Sequence, residues 1–274
     1  MIDLHLHTTA SDGDLSPGDV VSRAWHAGLR TIAITDHDTI AGVAEAQHAG
    51  EALGVRVIAG VEVTAVQDGR DVHVLAYFVD PASTGLLTFL SGQRADRTSR
   101  IREMAGRLEG LGMPIDADAL LEPYAGGTGR AVGRPAIARA LVDAGYVPTT
   151  AAAFDTLIGS RGPAFVPRRG ACADAVIEVI HAAGGVASLA HPVLLRRDTL
   201  IARIAARLDA LEVYHPDHSP TDVERYRGLA NQYGLAVSGG SDFHGDTRGP
   251  RTTLGTVMLP VHEFDRLAAM ARGQ

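Results

Sequence analysis

Short apolar runs alternate along the chain with segments whose apolar residues recur every three or four positions. The runs cover residues 2–7, 30–35, 56–64, 72–79, 185–190, 210–215 and 235–239, with aliphatic interiors such as IAIT, VIAGVEV and VHVLAYF. Such nearly unbroken runs predict strands buried on both faces, and so a parallel sheet covered by helices. Helical spacing fills the intervals. One helix opens at Ser16-Pro17, a capping residue followed by Pro at the first helical position, and runs to Ala27-Gly28. Others are predicted over 40–53, 171–183, 199–208 and 220–233. Seven strands alternating with helices predict an α/β fold of the (β/α) barrel type or a close variant. The run 256–259 and a tail helix over 261–272 are expected to pack outside the barrel.

The alternation breaks between residues 79 and 185, where strand signals vanish. Residues 94–111 have helical spacing, with Ile101, Met104, Ala105, Leu108 and Leu111 on one face. Further helices are predicted over 135–144 and 151–158. Residues 81–184 therefore read as a helical insertion over the active-site face, leaving 1–80 and 185–274 as the barrel. Gly126-Gly127-Thr128-Gly129 reads as a loop within it. No strand precedes these glycines and no Lys follows, so they make a poor phosphate loop.

Bulk composition narrows the function. The 274 residues are 46% hydrophobic and 21% charged, enough to bury a full core. A net charge of −7 argues against a wide basic face for duplex DNA. The single cysteine, Cys172, excludes disulfide scaffolds and thiolate zinc sites, and fits a reducing compartment. The amino terminus lacks the pattern of a signal peptide, and no apolar run is long enough to span a membrane. A cytoplasmic protein is expected. All 25 basic residues are Arg; Lys is absent.

The chemistry collects where the apolar runs end. The first run gives His5 and His7, then Asp12; the second ends at Asp36-His37-Asp38. The third carries Glu62 and the fourth His73. His191 follows the fifth, and Asp242 and His244 follow the seventh. Residues two apart on a strand face one side, so His5 and His7 can reach one ion together. A barrel brings all these ends to one rim. Six histidines and three carboxylates without metal would leave buried charge unpaired at high cost. Imidazole and carboxylate donors suit Mn, Fe or Zn. Nine donors exceed the needs of one ion and fit two or three, with a carboxylate such as Glu62 bridging. Clustered ions point to hydrolysis by an activated water.

The strings HLHTTASDG, ITDHDT, GVEVT, VHVLAYF, AHP, EVYHP and SGGSDFHG resemble, in order and across nearly the whole chain, the motif series of the PHP (polymerase and histidinol phosphatase) superfamily. The resemblance implies a distorted seven-stranded (β/α) barrel with a trinuclear metal centre. It implies that His5, His7, Glu62 and Asp242 hold one ion. Glu62, His73 and His191 would hold a second, and Asp12, His37 and His244 the third. Within the superfamily, Asp12 and the insertion most resemble bacterial 3′,5′-nucleoside bisphosphate phosphatases, also described as 5′-to-3′ exoribonucleases. The expected activity is a metal-dependent phosphoesterase. Its expected substrates are 3′,5′-nucleoside bisphosphates, 5′-nucleotides such as AMP, or the phosphorylated 5′ end of RNA. Histidinol phosphate phosphatase is the alternative within the superfamily. Amidohydrolases acting on C–N bonds are the alternative outside it; their form with a carboxylated Lys is impossible without Lys.

The remaining candidates are read two ways. Arg94, Arg97, Arg130 and Arg134 either grip a second phosphate, such as the 3′ group of a bisphosphate, or are solvated helix charges. His215 ends the sixth run and either donates a proton to the leaving oxygen or contacts phosphate, or else orients a metal-binding neighbour. Asp12, His37 and His215 are the expected catalytic residues. Asp36, Asp38 and His218 are candidates for support around them.

Overall fold

The computed structural model describes residues 1–245 and 253–272. Its seven strands are β1 (Ile2–Leu6), β2 (Thr31–Ile34), β3 (Arg56–Gln67), β4 (Arg70–Tyr77), β5 (Val186–Leu189), β6 (Ala210–Tyr214) and β7 (Ala236–Gly239). They form one sheet in sequence order, curled until its ends meet. Just beyond β7, Phe243 bridges to Leu6, and the His7 N–H donates to the Phe243 carbonyl at 2.9 Å. Gly240 permits this closure, because a Cβ there would lie 2.4 Å from the backbone nitrogen of His5.

The sheet is not wholly parallel, as the apolar runs had predicted. β1, β2 and β3 pair in parallel, as do β5, β6 and β7, but β4 is antiparallel to both neighbours. The cause is local. Asp68 and Gly69, at φ 51° and 72°, form a two-residue hairpin turn between β3 and β4. β3 thus overshoots the rim and β4 returns. His73, early in β4, pairs with Thr64 and lies level with the ends of the parallel strands.

Ten helices surround and extend this sheet among the described residues: α1 (Pro17–His26), α2 (Val43–Leu53), α3 (Thr84–Gly110), α4 (Ala117–Leu121), α5 (Arg134–Asp143), α6 (Thr150–Ala153), α7 (Ala173–Ala182), α8 (Asp198–Ile204), α9 (Pro220–Tyr233) and α10 (Val261–Arg272). α1 is capped by Ser16, and α9 carries a full capping box between Ser219 and Asp222. The run 256–259 forms no strand; the Leu259 N–H donates to the Ile2 carbonyl at 2.9 Å.

Two separate apolar cores result. The first fills the barrel and its helical jacket, with Leu4, Leu6, Ile32, Ile34 and Leu75 buried. The second joins Ile101, Met104, Leu108, Ile137, Leu141 and Ile158. α3 belongs to both. Its 27 residues span about 40 Å. Leu86 and Leu90 enter the barrel core, whereas Ile101, Met104 and Leu108 enter the second. The spacing read from 94–111 therefore misses the first ten residues. Leu111, placed on the buried face by that spacing, is the C-cap and is exposed. Residues 151–158 divide into α6 and a π-type turn, Phe154–Ile158.

Candidate metal centre and anion cleft

The nine residues read from the sequence as metal-binding meet on one rim of the barrel. Glu62 is at the middle. Its Oε2 lies 3.3, 3.2 and 3.1 Å from ring nitrogens of His5, His7 and His37. Its Oε1 lies 2.7 Å from His73 Nδ1 and 3.0 Å from His191 Nε2. Asp242 Oδ1 is 3.3 Å from both His5 Nε2 and His7 Nε2. Asp12 Oδ1 is 3.2 Å from His244 Nε2 and 3.9 Å from His37 Nε2. Three groups have donor atoms close enough to share an ion: His5, His7, Glu62 and Asp242; His7, Asp12, His37 and His244; and His37, Glu62 and His73. The first matches the set implied by the resemblance. The second adds His7 to its set. In the third, His37 stands with Glu62 and His73, while His191 joins through Glu62 Oε1.

Hydrogen bonds around the rings show what these donors fit. His5 Nδ1 faces Glu212 Oε1 at 2.9 Å, and His244 Nδ1 faces the Asp242 carbonyl at 2.8 Å. Each Nδ1 thus carries the proton and donates it outward. With Nδ1 so committed, each Nε2 faces carboxylate oxygens at 3.2–3.3 Å, a contact that needs positive charge between them, as a proton or as a metal ion. His7 and His37 Nδ1 and His244 Nε2 are buried and have no hydrogen-bond partner. The 3.1–3.3 Å spacings match the edges of a tetrahedron with ligand bonds of about 2.0–2.1 Å. Divalent ions therefore fit the donor set.

Charge tells the same story. Burial opposes ionisation of His5, but Glu212, Asp242 and Glu62 hold its pKa well above the usual range. Burial likewise opposes charge on His7, yet the Asp242 and Glu62 carboxylates beside its Nε2 push it up to about 9. Glu62, Asp12 and Asp242 overcome burial through their histidine neighbours and lie well below the normal carboxylate range. The rim demands positive charge and supplies negative charge to receive it.

Buried polar groups fix this arrangement from below. Asp36 accepts from the Thr8 N–H and hydroxyl and from the Ser11 hydroxyl, at 2.6–2.7 Å, and so pins the turn leading to Asp12. Asp38 accepts from the Thr64 N–H at 2.9 Å and pairs with Arg97 Nε at 2.5 Å. Asp38, His191 and Asp242 have φ of 51°, 28° and 50°, left-handed values that non-glycine residues adopt where surroundings enforce them. His215 accepts from the Asp217 N–H at Nδ1, so its neutral ring carries the proton on Nε2, 3.4 Å from Asp242 Oδ2. His218 turns away, with Nδ1 donating to the Val213 carbonyl at 2.8 Å.

Beside the rim lies a cleft of about 230 Å³. Asp12, His37 and His73 line one wall. Arg97, Arg100, Arg134 and Arg168 line the other, with Asp71 and Phe154. Arg97 is tied to Asp38, Thr64 and the Val132 carbonyl. Arg134 donates to the Ile158 carbonyl at 3.4 Å and stacks on Phe154 and Phe165. Arg94 lies outside the lining and donates to the Asp38 carbonyl at 3.1 Å. Arg130 also lies outside it and holds the Thr9 carbonyl at 2.8 Å. Arg100 and Arg168 also line the cleft, although no sequence pattern marks them. Their buried Nη2 and Nε atoms have no hydrogen-bond partner. Burial and neighbouring guanidiniums push Arg100 down to about 10 and Arg168 to about 9. This wall demands an anion.

The comparisons agree with this geometry. The PHP domain pattern matches residues 3–124. A 5′-3′ exoribonuclease of Haemophilus influenzae is 36% identical over 88% of this chain and 89% of its own. A 3′,5′-nucleoside bisphosphate phosphatase of Chromobacterium violaceum is 34% identical over 94% and 92%. A solved structure from Bifidobacterium adolescentis, provisionally assigned as a metal-dependent phosphoesterase, superposes with a TM-score of 0.88. It shares 36% identity and covers 98% of this chain and 96% of its own. No described helix is long and apolar enough to cross a membrane. Barrel, rim and relatives together identify this chain as a member of the PHP family and a hydrolase of phosphoric esters.

Proposed function

We propose that the protein hydrolyses nucleotides bearing two phosphate groups, either small 3′,5′-bisphosphates or the phosphorylated 5′ end of RNA. One observation carries this reading: a single cleft is lined both by three candidate metal ligands and by four arginines. The reacting phosphoryl group lies against Asp12, His37 and His73, and the second phosphate lies on Arg134, Arg168 and Arg100. The helices and loops around the second core act as the cap that carries those arginines, whereas Leu86, Leu90 and α7, inside the expected insertion 81–184, pack in the barrel core. Two or three divalent ions, Mn, Fe or Zn, would be held by His5, His7, Asp12, His37, Glu62, His73, His191, Asp242 and His244, and when bound supply Lewis acidity and an acidified water.

Hydrolysis adds water across a P–O ester bond: phosphorus gains the water oxygen, and the leaving oxygen gains a proton. We assign that proton to His215, a reading supported by its Nε2, 3.4 Å from Asp242 Oδ2 at the cluster. Phe154 offers a ring at the cleft wall against which a base can stack. Histidinol phosphate suits the site poorly, because its cationic end would meet guanidiniums.

The test is phosphate release from 3′-phosphoadenosine 5′-phosphate, AMP, histidinol phosphate and a short 5′-phosphorylated RNA, with Mn added. The bisphosphate or the RNA is expected to be preferred by at least ~10-fold over AMP, the worth of one good charged hydrogen-bond pair. Preference for histidinol phosphate overturns the reading.

A further inference from the structure

Glu212 lies within β6, fully buried, below the cluster and outside the nine candidate ligands. Its two oxygens have different tasks. Oε1 faces His5 Nδ1 at 2.9 Å, and Oε2 accepts the backbone N–H of His191 at 2.6 Å. One carboxylate on β6 therefore ties the side chain of a β1 residue to the backbone just past β5. That backbone is the strained one: His191 has φ 28° and ψ 60°. Both partners are donors, so an ionised carboxylate satisfies both and no neutral aliphatic side chain could.

We infer that Glu212 is a positioning residue for the metal centre. It fixes His5 as the Nδ1–H tautomer, which leaves Nε2 free to face Glu62 and Asp242. It also holds the His191 turn that sets the ring against Glu62 Oε1. Glu212 touches neither reacting atoms nor substrate and acts through these two histidines. Outer partners of this kind commonly change metal affinity by about 10–100-fold. The inference rests on the proposed metal centre and goes beyond it, since nothing in that proposal requires a carboxylate at position 212.

The experiment has two arms. In metal-free parent protein, ring-nitrogen NMR of His5 should show the proton on Nδ1; a proton on Nε2 alone overturns the inference without any substitution. In the second arm, Mn affinity is measured by chelator competition for the parent, Glu212→Gln and Glu212→Ala, beside the melting temperature of each metal-free protein. Glutamine can accept one of the two bonds but not both. Glu212→Gln is expected to bind Mn about 10–100-fold more weakly while staying folded, its metal-free melting temperature lowered by no more than one unmet buried donor costs. Parent-like affinity in Glu212→Gln overturns the inference. So does a loss of affinity matched by a comparable loss of metal-free stability, which is what mere packing predicts. A parent protein that takes up no divalent ion overturns the metal centre and this inference together.

Discussion

The two walls of the cleft treat charge in opposite ways. On the barrel rim, ring nitrogens whose Nδ1 atoms are committed outward face Glu62, Asp242 and Asp12, and positive charge must lie between them. On the arginine wall, Arg97, Arg100, Arg134 and Arg168 crowd together, with Asp71 and Asp38 as their carboxylate neighbours. One wall is built for cations and the other for an anion. They are built on different cores as well. The rim rides on the closed sheet, whereas Arg100 and Arg134 sit on helices of the second core. The candidate metal rim and the arginine wall therefore rest on separately packed parts of the chain, joined by α3.

The largest expected effect breaks the rim. Asp12→Ala should lower kcat about 10³-fold with secondary structure intact, because it removes the carboxylate facing His244 and His37. Circular dichroism and a phosphate-release assay check both halves. Next is Asp3, the exception on the rim side. It is buried and aimed at the N–H groups of His5 and Ser241 rather than at the cluster. Burial pushes its pKa up to about 6 from 3.8. Its contribution to stability is therefore complete below pH 3.8 and lost as pH rises through 6. In metal-free protein, Asp3→Asn should gain about 3 kcal/mol on the parent between pH 3 and pH 7, read by urea denaturation. A difference that is flat with pH would show that the rim carries no such stored cost.

The smallest effect tests the other wall. Arg168→Ala should raise KM for the bisphosphate about 10- to 30-fold and change that for AMP far less. Equal effects on both substrates would mean that the arginine wall reads the reacting phosphoryl group, and the division between walls would fail.

Much of this was legible before the fold, for a physical reason. Each of the nine candidate ligands interrupts or follows an aliphatic run, and a barrel must bring such positions together. The β3–β4 hairpin was also legible, in Asp68-Gly69 between two apolar runs, yet the strength of the parallel-sheet pattern hid it. Glu212 was not, because a charged residue inside the run 210–215 declares no partner until β1 and the His191 turn close over it. The arginine wall was half visible. Arg134 stands before Pro135 at a helix start, but Arg100 and Arg168 look like ordinary surface cations until the second core buries them. α3 began unnoticed because its apolar residues serve two cores and share no single stripe.

The central claim is that the rim works only with cations. Its most direct test is phosphate release from 3′-phosphoadenosine 5′-phosphate by protein stripped with EDTA and then titrated with Mn, with bound metal counted in parallel. The account predicts loss of nearly all turnover on stripping and its return as two to three ions bind per chain. Undiminished turnover by the metal-depleted protein would contradict it.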